Sequence, residues 1–594
     1  MSPDGITLHL IAKELRETIL PGRVERVFQP ERQEIILVIR CSGQSRRLLL
    51  SAKAESAGMH LTIKEKKNPL TPPQFCIVLR KYLEGSRLTD IQQVGLDRIV
   101  RLTFNRIAEN GKFQDVTLIV EIMGKHSNII LISPDCNRII DGIKRYSHAL
   151  SRYREVLPGR VYLSPPAQDK EDPQAISEEQ FIRLMLSHPL TIPLDKVLFS
   201  SLEGLGYVLA REIIVRSGLA PELLLEYCGA HELQSLWRTI QDLIPSLYRG
   251  ERVEPTVAFQ ERHPTACAPV SLTQYEELKI VKCNTVNEML DLFYTANLEY
   301  NRLQQLQKHL AHVIKQEISR CSKKLSFQEQ DEAEANSSLN LRLWGETIFA
   351  NLHLIKPGAR EASLPNIYEP DGHHINIKLV PSLTASQNAQ RFFRKYNKAR
   401  DSLKIIEKNK KKTAAEIRYL NSVEFALEEA ASLSELLEVQ AELVEAGYLR
   451  LHTKVKGTNK KKPRKEAPQI RNITSQNGFS ILIGKNNKQN DYLTMRLAQP
   501  DDYWLHVKDS AGSHIIVKSA PGQEVPSSTL KEAAELAAYF SEARLSSNVP
   551  VDCTKRKNVS KPAGSRPGFV IYRNHKTFYV TPKAPQENGP DNYR

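Results

Sequence analysis

No run of apolar residues in this chain approaches the roughly 20 needed to cross a bilayer, so no membrane partner is expected. The opening Met1-Ser2-Pro3-Asp4-Gly5 lacks the basic-then-apolar layout of a secretory signal, and a cytoplasmic protein is the expectation. Cysteine is present but unorganised: Cys41, Cys76, Cys136, Cys228, Cys267, Cys283, Cys321 and Cys553 include no C-x-x-C pair and are scattered over every segment. That spacing argues against a zinc site and against a disulfide framework, and leaves isolated reduced thiols. No metal or cofactor is expected.

Positive charge is in excess. There are 83 Lys and Arg against 68 Asp and Glu, a net charge of +15 and a pI of about 9.2. A balance of that size points to a polyanionic partner, nucleic acid or an acidic surface. At 594 residues the chain is too long for one core and suggests roughly three to five domains.

The periodicities predict a multidomain α+β protein. Leu8, Ile11, Leu15 and Ile19 mark an amphipathic helix over 6–20, ended by Pro21-Gly22. Strands are expected at Val24–Phe28, Glu34–Arg40 and Arg47–Ser51, then a helix from Pro72-Pro73 to about Leu83, then strands Ile99–Phe104, Val116–Met123 and Asn128–Ile132. Residues 1–172 therefore read as one α+β domain with a largely antiparallel sheet. Residues 173–268 read as helical, with a helix-hairpin-helix-like stretch from Phe199 to Ile213 around Gly204-Leu205-Gly206. Such a turn can leave backbone N–H groups free for a phosphate at the start of its second helix; a plain packing hairpin explains the same residues.

A long helix is expected over 285–325, with Leu303, Leu306, Leu310 and Val313 as a coiled-coil seam. A second runs over 386–437, with Leu403, Ile406, Ile417, Leu420 and Leu427. The small insert Leu341–Leu383 lies between them, so 280–450 reads as an antiparallel coiled-coil arm with a tip. A basic linker follows at 451–467, with Lys454, Lys456, Lys460, Lys461, Lys462, Arg464 and Lys465. The last domain, 468–583, should contain strands Phe479–Ile483, Asp502–Val507 and His514–Lys518 and a helix Ser528–Phe540. Phe569–Tyr572 and Thr577–Thr581 should form a hairpin around Arg573–Lys576.

Three segments resemble a known family. They are Gly95-Leu96-Asp97-Arg98-Ile99-Val100 with Glu121-Ile122-Met123-Gly124-Lys125-His126-Ser127-Asn128; Gly484–Thr494 with Asp502–Asp509 and Gly512–His514; and Lys557–Pro562 with Pro567–Tyr572. In that order they are similar to the NFACT proteins over nearly the whole chain. The resemblance implies a ribosome-associated quality control factor with a C-terminal α+β RNA-binding domain. Its partners would be the large ribosomal subunit, through rRNA and ribosomal proteins, the peptidyl-tRNA on it, and an incoming alanyl-tRNA. Alanines would be added to a stalled chain without mRNA and the tail would mark that chain for degradation. Peptide-bond formation would belong to the ribosome, so no catalytic residue is expected. The tRNA-contact motif carries over to Asp97, Arg98, Glu121, Ile122 and Met123.

The residue chemistry suits that assignment. Pairing 99–104 with 116–123 around the 105–115 turn brings Asp97-Arg98 opposite Val120–Met123. Arg can take a phosphate or a guanine edge, carboxylates can accept from base amino groups, and Met can pack on a base. From spacing alone, an Asp–Arg or Arg–Glu ion pair at a sheet edge is the plainer reading. In the last domain, Lys485, Lys488, Arg496, Lys508, Lys555, Arg556, Lys557 and Lys561 surround Tyr492, Tyr503, Trp504 and Tyr572, a mixture suited to unpaired RNA. Trp504 is expected in the core, and His506 and His514 are read as structural or RNA-contacting. Two rival classes fit poorly. A DNA glycosylase of the formamidopyrimidine type needs a terminal proline followed by glutamate and a four-cysteine finger, whereas Ser2-Pro3-Asp4 stands here. A surface adhesin has no signal, anchor or charge to match.

Overall fold

The computed structural model describes residues 2–107, 111–133, 136–149, 151–166, 168–369, 372–450, 470–519 and 524–585. The chain divides into two compact units, Met1–Asn301 and Arg302–Arg594.

In the first unit, helix α1 (Gly5–Ile19) forms where the apolar spacing places it. Asp4 caps it by accepting the Thr7 N–H at 2.8 Å, and Leu8, Ile11, Leu15 and Ile19 are fully buried. Strands β1 (Gly22–Glu31), β2 (Glu34–Cys41), β3 (Gln44–Ser51) and β4 (Gly58–Thr62) follow, then α2 (Gln74–Leu83). Next come β5 (Arg87–Gln93), β6 (Ile99–Ile107), β7 (Phe113–Glu121), β8 (Asn128–Ser133) and β9 (Arg138–Gly142). They build one antiparallel sheet in the order β4-β3-β2-β1-β5-β6-β7-β8-β9. Alternation sends Val24, Leu37, Leu48, Leu88, Val100, Leu102, Leu118 and Val120 into the main core. At the far end of the sheet, Ile99, Ile119, Ile130 and Ile132 form a second cluster on the opposite face with Val156 and Tyr162. β4, β5 and β9 were not expected from the sequence; Arg87–Gln93 in particular is mostly polar and exposed on one face.

Helices α3 (Glu178–Leu186), α4 (Leu194–Ser201), α5 (Tyr207–Arg216) and α6 (Ala230–Arg249) pack into the same core. The stretch read as helical to 268 turns into sheet earlier. Strands β10 (Thr256–Gln260), β11 (His263–Ala268) and β12 (Lys279–Lys282) form a three-stranded antiparallel sheet. Helix α7 (Val286–Ser338) then begins inside the first unit, where Val286, Met289, Leu290 and Phe293 are core residues. Its N-terminus is held by Glu14, whose carboxylate accepts the Val286 and Asn287 N–H groups at 2.7 and 3.0 Å.

In the second unit, α7 pairs with α9 (Ala385–Glu428). The two run antiparallel: Gln307 donates to the Leu427 carbonyl, and Lys410 reaches Glu332 at 2.5 Å. Leu310, Ile314, Cys321, Leu420, Val423 and Leu427 are the buried seam, flanked by Leu303, Leu306 and Ile417. Ile314 therefore takes the place expected for Val313, because the seam advances by four residues after Leu310. The insert holds α8 (Leu341–Ala350) and a hairpin of β13 (Glu361–Pro365) and β14 (His374–Lys378). Ile348, Leu364 and Ile377 close on Phe392. Helix α10 (Leu433–Glu445) follows α9. The basic linker 451–467 lies outside the described residues.

Strands β15 (Arg471–Thr474) and β16 (Ser480–Ile483) precede α11 (Asn487–Tyr492), β17 (Tyr503–Val507), β18 (Ile515–Val517) and α12 (Ser527–Tyr539). After them come β19 (Val549–Lys555), β20 (Val559–Ser560), β21 (Ile571–Tyr572) and β22 (Lys576–Val580). The main sheet runs β15-β16-β18-β17-β19-β22, and Ala533, Ala534 and Ala537 of α12 pack into its core. The expected hairpin around Arg573–Lys576 is not formed. β21 pairs with β20 while β22 pairs with β19, so the two segments diverge into different sheets.

Candidate RNA-contact site

Asp97 and Arg98 lie on the tight loop that closes the β5–β6 hairpin. The Val94 N–H donates to the Ile99 carbonyl and the Asp97 N–H to the Val94 carbonyl, both at 3.0 Å. That turn needs a positive φ at its second residue, which Gly95 supplies at +57°. The Asp97 carboxylate accepts the Arg98 N–H at 2.7 Å, and Gln93 fixes the Asp97 carbonyl at 2.9 Å. β6 pairs with β7 with Val100 opposite Val120, and the Ile122 N–H donates to the Arg98 carbonyl at 2.8 Å. The structure thus joins the two halves of the motif through backbone.

Their side chains part company. Asp97 and Arg98 are half-buried, and the Arg98 guanidinium makes no ion pair among the described residues. Glu121 and Ile122 are fully buried, and Met123 packs against the second cluster. Both Glu121 oxygens are taken by the Arg154 guanidinium at 2.6 Å, and Tyr162 donates its hydroxyl at 2.9 Å. Burial works against the Arg154 charge, but Glu121 more than offsets it and the guanidinium pKa is raised. Burial and the same carboxylate push the Tyr162 phenol up. An ion pair at this sheet edge does exist, then, but its cation is Arg154, to which no motif or spacing points.

Asp97 and Arg98 form part of the wall of a pocket of about 560 Å³ that also includes Asp4, Lys170, Glu203 and Tyr207. Lys170 donates to the Phe199 carbonyl at 2.7 Å and lies over that ring; burial, then Arg98, lowers its pKa. Burial raises the Glu203 carboxyl, which nevertheless accepts the Leu96 N–H at 3.2 Å. Phe199 and Tyr207 stack at 4.1 Å, and Tyr207 is 48% exposed. The start of α5 faces this pocket, but its Gly206 N–H donates to Asp4 at 3.1 Å. The chain's own carboxylate occupies the position foreseen for a phosphate. Asp4 can approach because Gly206 has no side chain: a Cβ there would sit 2.8 Å from the Asp4 Cβ. Burial drives the Asp4 carboxyl above its usual range despite these bonds. Cys267 also lines the pocket, but burial pushes its thiol up to about 12, so it offers little thiolate. Pro3 is buried and also lines this pocket.

In the C-terminal sheet domain, most of the expected basic contacts are already engaged. Lys485 pairs with Glu435 at 2.7 Å and Lys488 with Glu445 at 3.0 Å, both on α10. Asn486 and Asn487 donate to Glu438 and Glu442 of the same helix at 2.6 and 3.0 Å. Arg556 donates to the Thr494 and Val559 carbonyls, Lys561 pairs with Asp491, and Lys557 meets Asp501 at 3.3 Å. Lys555 reaches the same Asp501 at 3.8 Å and lies over Tyr503. Arg496 and Lys508 are exposed without an ion pair among the described residues. Trp504 is fully buried, and Tyr572 donates to Asp552 at 2.7 Å. His514 is buried with its Nδ1 2.8 Å from the Thr494 hydroxyl, and burial lowers the pKa of both His506 and His514. All eight cysteines are free thiols. Among the described residues, no group of three or more His, Cys, Asp or Glu is placed to hold a metal, and no helix is long and apolar enough to cross a membrane.

A charged, aromatic-walled pocket lies in one unit and an antiparallel sheet domain in the other, so the chain is a multidomain α+β protein. The family model for NFACT N-terminal and middle domains matches residues 4–463, and that for the NFACT protein RNA binding domain matches residues 470–574. The chain is 37% identical over 586 residues to the Bacillus subtilis (strain 168) protein named Rqc2 homolog RqcH, covering 98% of both chains. It is 36% identical over 584 residues to the Streptococcus suis (strain 05ZYH33) protein of the same name, again covering 98% of both. Similarity extends at 22% over 380 residues to the Homo sapiens protein named Ribosome quality control complex subunit NEMF, covering 59% of this chain and 33% of that one. The chain belongs to the NFACT family.

Proposed function

We propose that this chain is a cytoplasmic ribosome quality control factor that positions tRNA and has no active site of its own. It binds a large ribosomal subunit that still carries peptidyl-tRNA, and recruits alanyl-tRNA for mRNA-independent alanine tailing of the stalled chain, which marks that chain for degradation. The ribosome makes the peptide bonds; the protein contributes proximity and orientation.

The observation that carries this reading is the placement of Asp97 and Arg98 in the wall of an open pocket, with the Arg98 guanidinium unpaired among the described residues. Asp97 and Arg98 touch the tRNA, while Glu121 and Ile122 hold the loop from behind and Met123 closes the edge. α4, the turn at 202–206 and α5 act as a helix-hairpin-helix element that offers Tyr207 to a base in place of bare N–H groups. The paired helices α7 and α9 serve as an arm that anchors on the subunit, and Arg496 and Lys508 are the RNA contacts left open in the C-terminal domain. Both full-length relatives carry the RqcH name, and the human relative's name places it in a ribosome quality control complex.

The test is the Asp97→Ala, Arg98→Ala variant. Neither side chain fills the core, so stability should fall by no more than about 1 kcal/mol, whereas lost Arg contacts to RNA should cost about 1–3 kcal/mol. The variant should sediment with large subunits yet carry little tRNA and make no tails on a stalled reporter. Undiminished tRNA per bound subunit together with intact tailing would overturn the reading.

A further inference from the structure

The strand β1 reads Gly-Arg-Val-Glu-Arg-Val-Phe from Gly22 to Phe28. Val24 and Val27 point into the core, so Arg23, Arg26 and Phe28 lie on the other face. Register aligns Arg23 with Arg40 on β2 and with Arg87 on β5. Neighbouring strands stand about 4.8 Å apart, so three arginine positions cross the sheet side by side. Next along, Arg26 is opposite Val38, and Val38 is opposite Arg47 of β3. Here the sheet surface is concave, with a depression of about 520 Å³ lined by Glu25, Arg26, Phe28, Val38, Ser45 and Arg47.

The counter-charges are few. Glu25 meets Arg40 at 3.5 Å and accepts the Ser45 hydroxyl at 2.7 Å, and Arg47 pairs with Glu65. Arg23, Arg26 and Arg87 make no ion pair among the described residues. Like charges side by side on a sheet repel one another, and a concentrated field of one sign draws a polyanion. None of these residues lines the Asp97–Arg98 pocket.

We propose that this face is a second RNA-binding site, for an unpaired stretch of RNA. Phosphates lie along the Arg23–Arg40–Arg87 row, and one unstacked base rests on the Phe28–Val38 floor beneath the Arg26 guanidinium. Guanidinium forks suit phosphate oxygens, and an apolar floor with a guanidinium plane beside it suits a base. An acidic membrane would meet the same charges, but Phe28 floors a hollow and does not protrude into an acyl layer. The proposal stands apart from the tRNA reading, because it uses none of that site's residues.

The experiment is site-resolved crosslinking to the full chain with a twelve-nucleotide oligouridine RNA containing 4-thiouridine. Crosslinks should map to residues 22–50, and their yield against RNA concentration gives a Kd for this face alone. In Arg23→Gln, Arg40→Gln, Arg87→Gln, the slope of log affinity against log salt should fall by about 2, and affinity at 0.1 M salt should drop about 100-fold, at ~0.7 per phosphate contact. Phe28→Ala should weaken binding with the slope unchanged, and Asp97→Ala, Arg98→Ala should leave this Kd as it is. Should the triple variant fail to fold, the exposed Arg87→Gln alone should cost about 5-fold. Absence of crosslinks in 22–50, an unaltered Kd in the arginine variants, or displacement of the crosslink by phosphatidylserine vesicles but not by unlabelled RNA overturns the proposal.

Discussion

Removing the Arg154 side chain separates two accounts of Glu121, as a support for the site or as part of its surface. Glu121 is 0% exposed and Arg154 6%. The pair is bidentate at 2.6 Å on both arms, Tyr162 donates to the same carboxylate, and Arg154 also holds the Leu163 carbonyl at 2.9 Å. Arg154→Ala leaves a carboxylate buried with one phenol for company. Breaking one side of such a pair costs about 3–5 kcal/mol, whereas replacing both partners with apolar side chains of similar volume is often close to neutral. At ~2–4 °C per kcal/mol for domains of this order of size, the melting temperature of the N-terminal unit should fall by roughly 6–20 °C. Glu121→Leu with Arg154→Met should recover most of that loss. Thermal melts of the full chain would be paired with tRNA recovery at a temperature where every variant is folded. The double variant should then keep its tRNA. An Arg154→Ala protein that melts within a degree of wild type refutes the structural account. A double variant that is fully folded yet loses tRNA makes Glu121 an RNA contact.

Other expectations are independent of that pair. Because burial depresses the folded-state pKa of His506 and His514, stability of the C-terminal domain should be complete above about pH 6.5 and decline as pH falls below it; His514→Gln should shrink that decline in a pH series of melts. Gly206→Ala should displace Asp4, strip the cap from α1 and break the Gly206–Asp4 bond at the start of α5, and cost about 1–3 kcal/mol by urea unfolding, with no change expected in the C-terminal transition. Replacing Leu341–Leu383 with a short turn should leave the α7–α9 pair helical by circular dichroism and weaken co-sedimentation with large subunits; undiminished co-sedimentation would assign anchoring elsewhere.

Much of the architecture was legible because it rests on period. The helix at 6–20, the β6–β7 pairing and the two long helices all follow from apolar residues recurring at 3.6, 2 or 3.5; the starts of both long helices fall where expected, but the first runs on to Ser338 instead of 325 and the second stops at Glu428 instead of 437. Elements without that pattern were invisible: β5 is mostly polar on its exposed face, and β10–β12 are too short to stand out by period, although Gly250 and Pro255 mark the break before them. The C-terminal hairpin does not form because long-range pairing of β22 with β19 and of β21 with β20 wins over pairing between two short neighbours in sequence. The site was legible in part. Asp97-Arg98 and Glu121 were correctly brought to one sheet edge, but strand register says nothing of what lies beneath it. Arg154 and Tyr162 reach Glu121 from 33 and 41 residues away. Lys485 and Lys488 looked like RNA contacts by composition, and only the tertiary structure shows α10 already holding them. Lys170 and Tyr207 carry no local signal at all.

The attachment of α7 to α1 through Glu14, and of the start of α5 through Asp4, also sets a timetable. The core of the first unit is incomplete until Val286, Leu290 and Phe293 exist. At 5–20 residues per second, synthesis takes about 15–60 s to reach them. Until then the apolar side of the nine-stranded sheet lacks part of its cover, and the Asp97–Arg98 pocket lacks the Leu290 and Tyr294 side of its lining. A ribosome that halts within the first 290 codons of this message would therefore hold an open, adhesive fragment. The protein proposed to clear such fragments is, during its own birth, a demanding client of the same service.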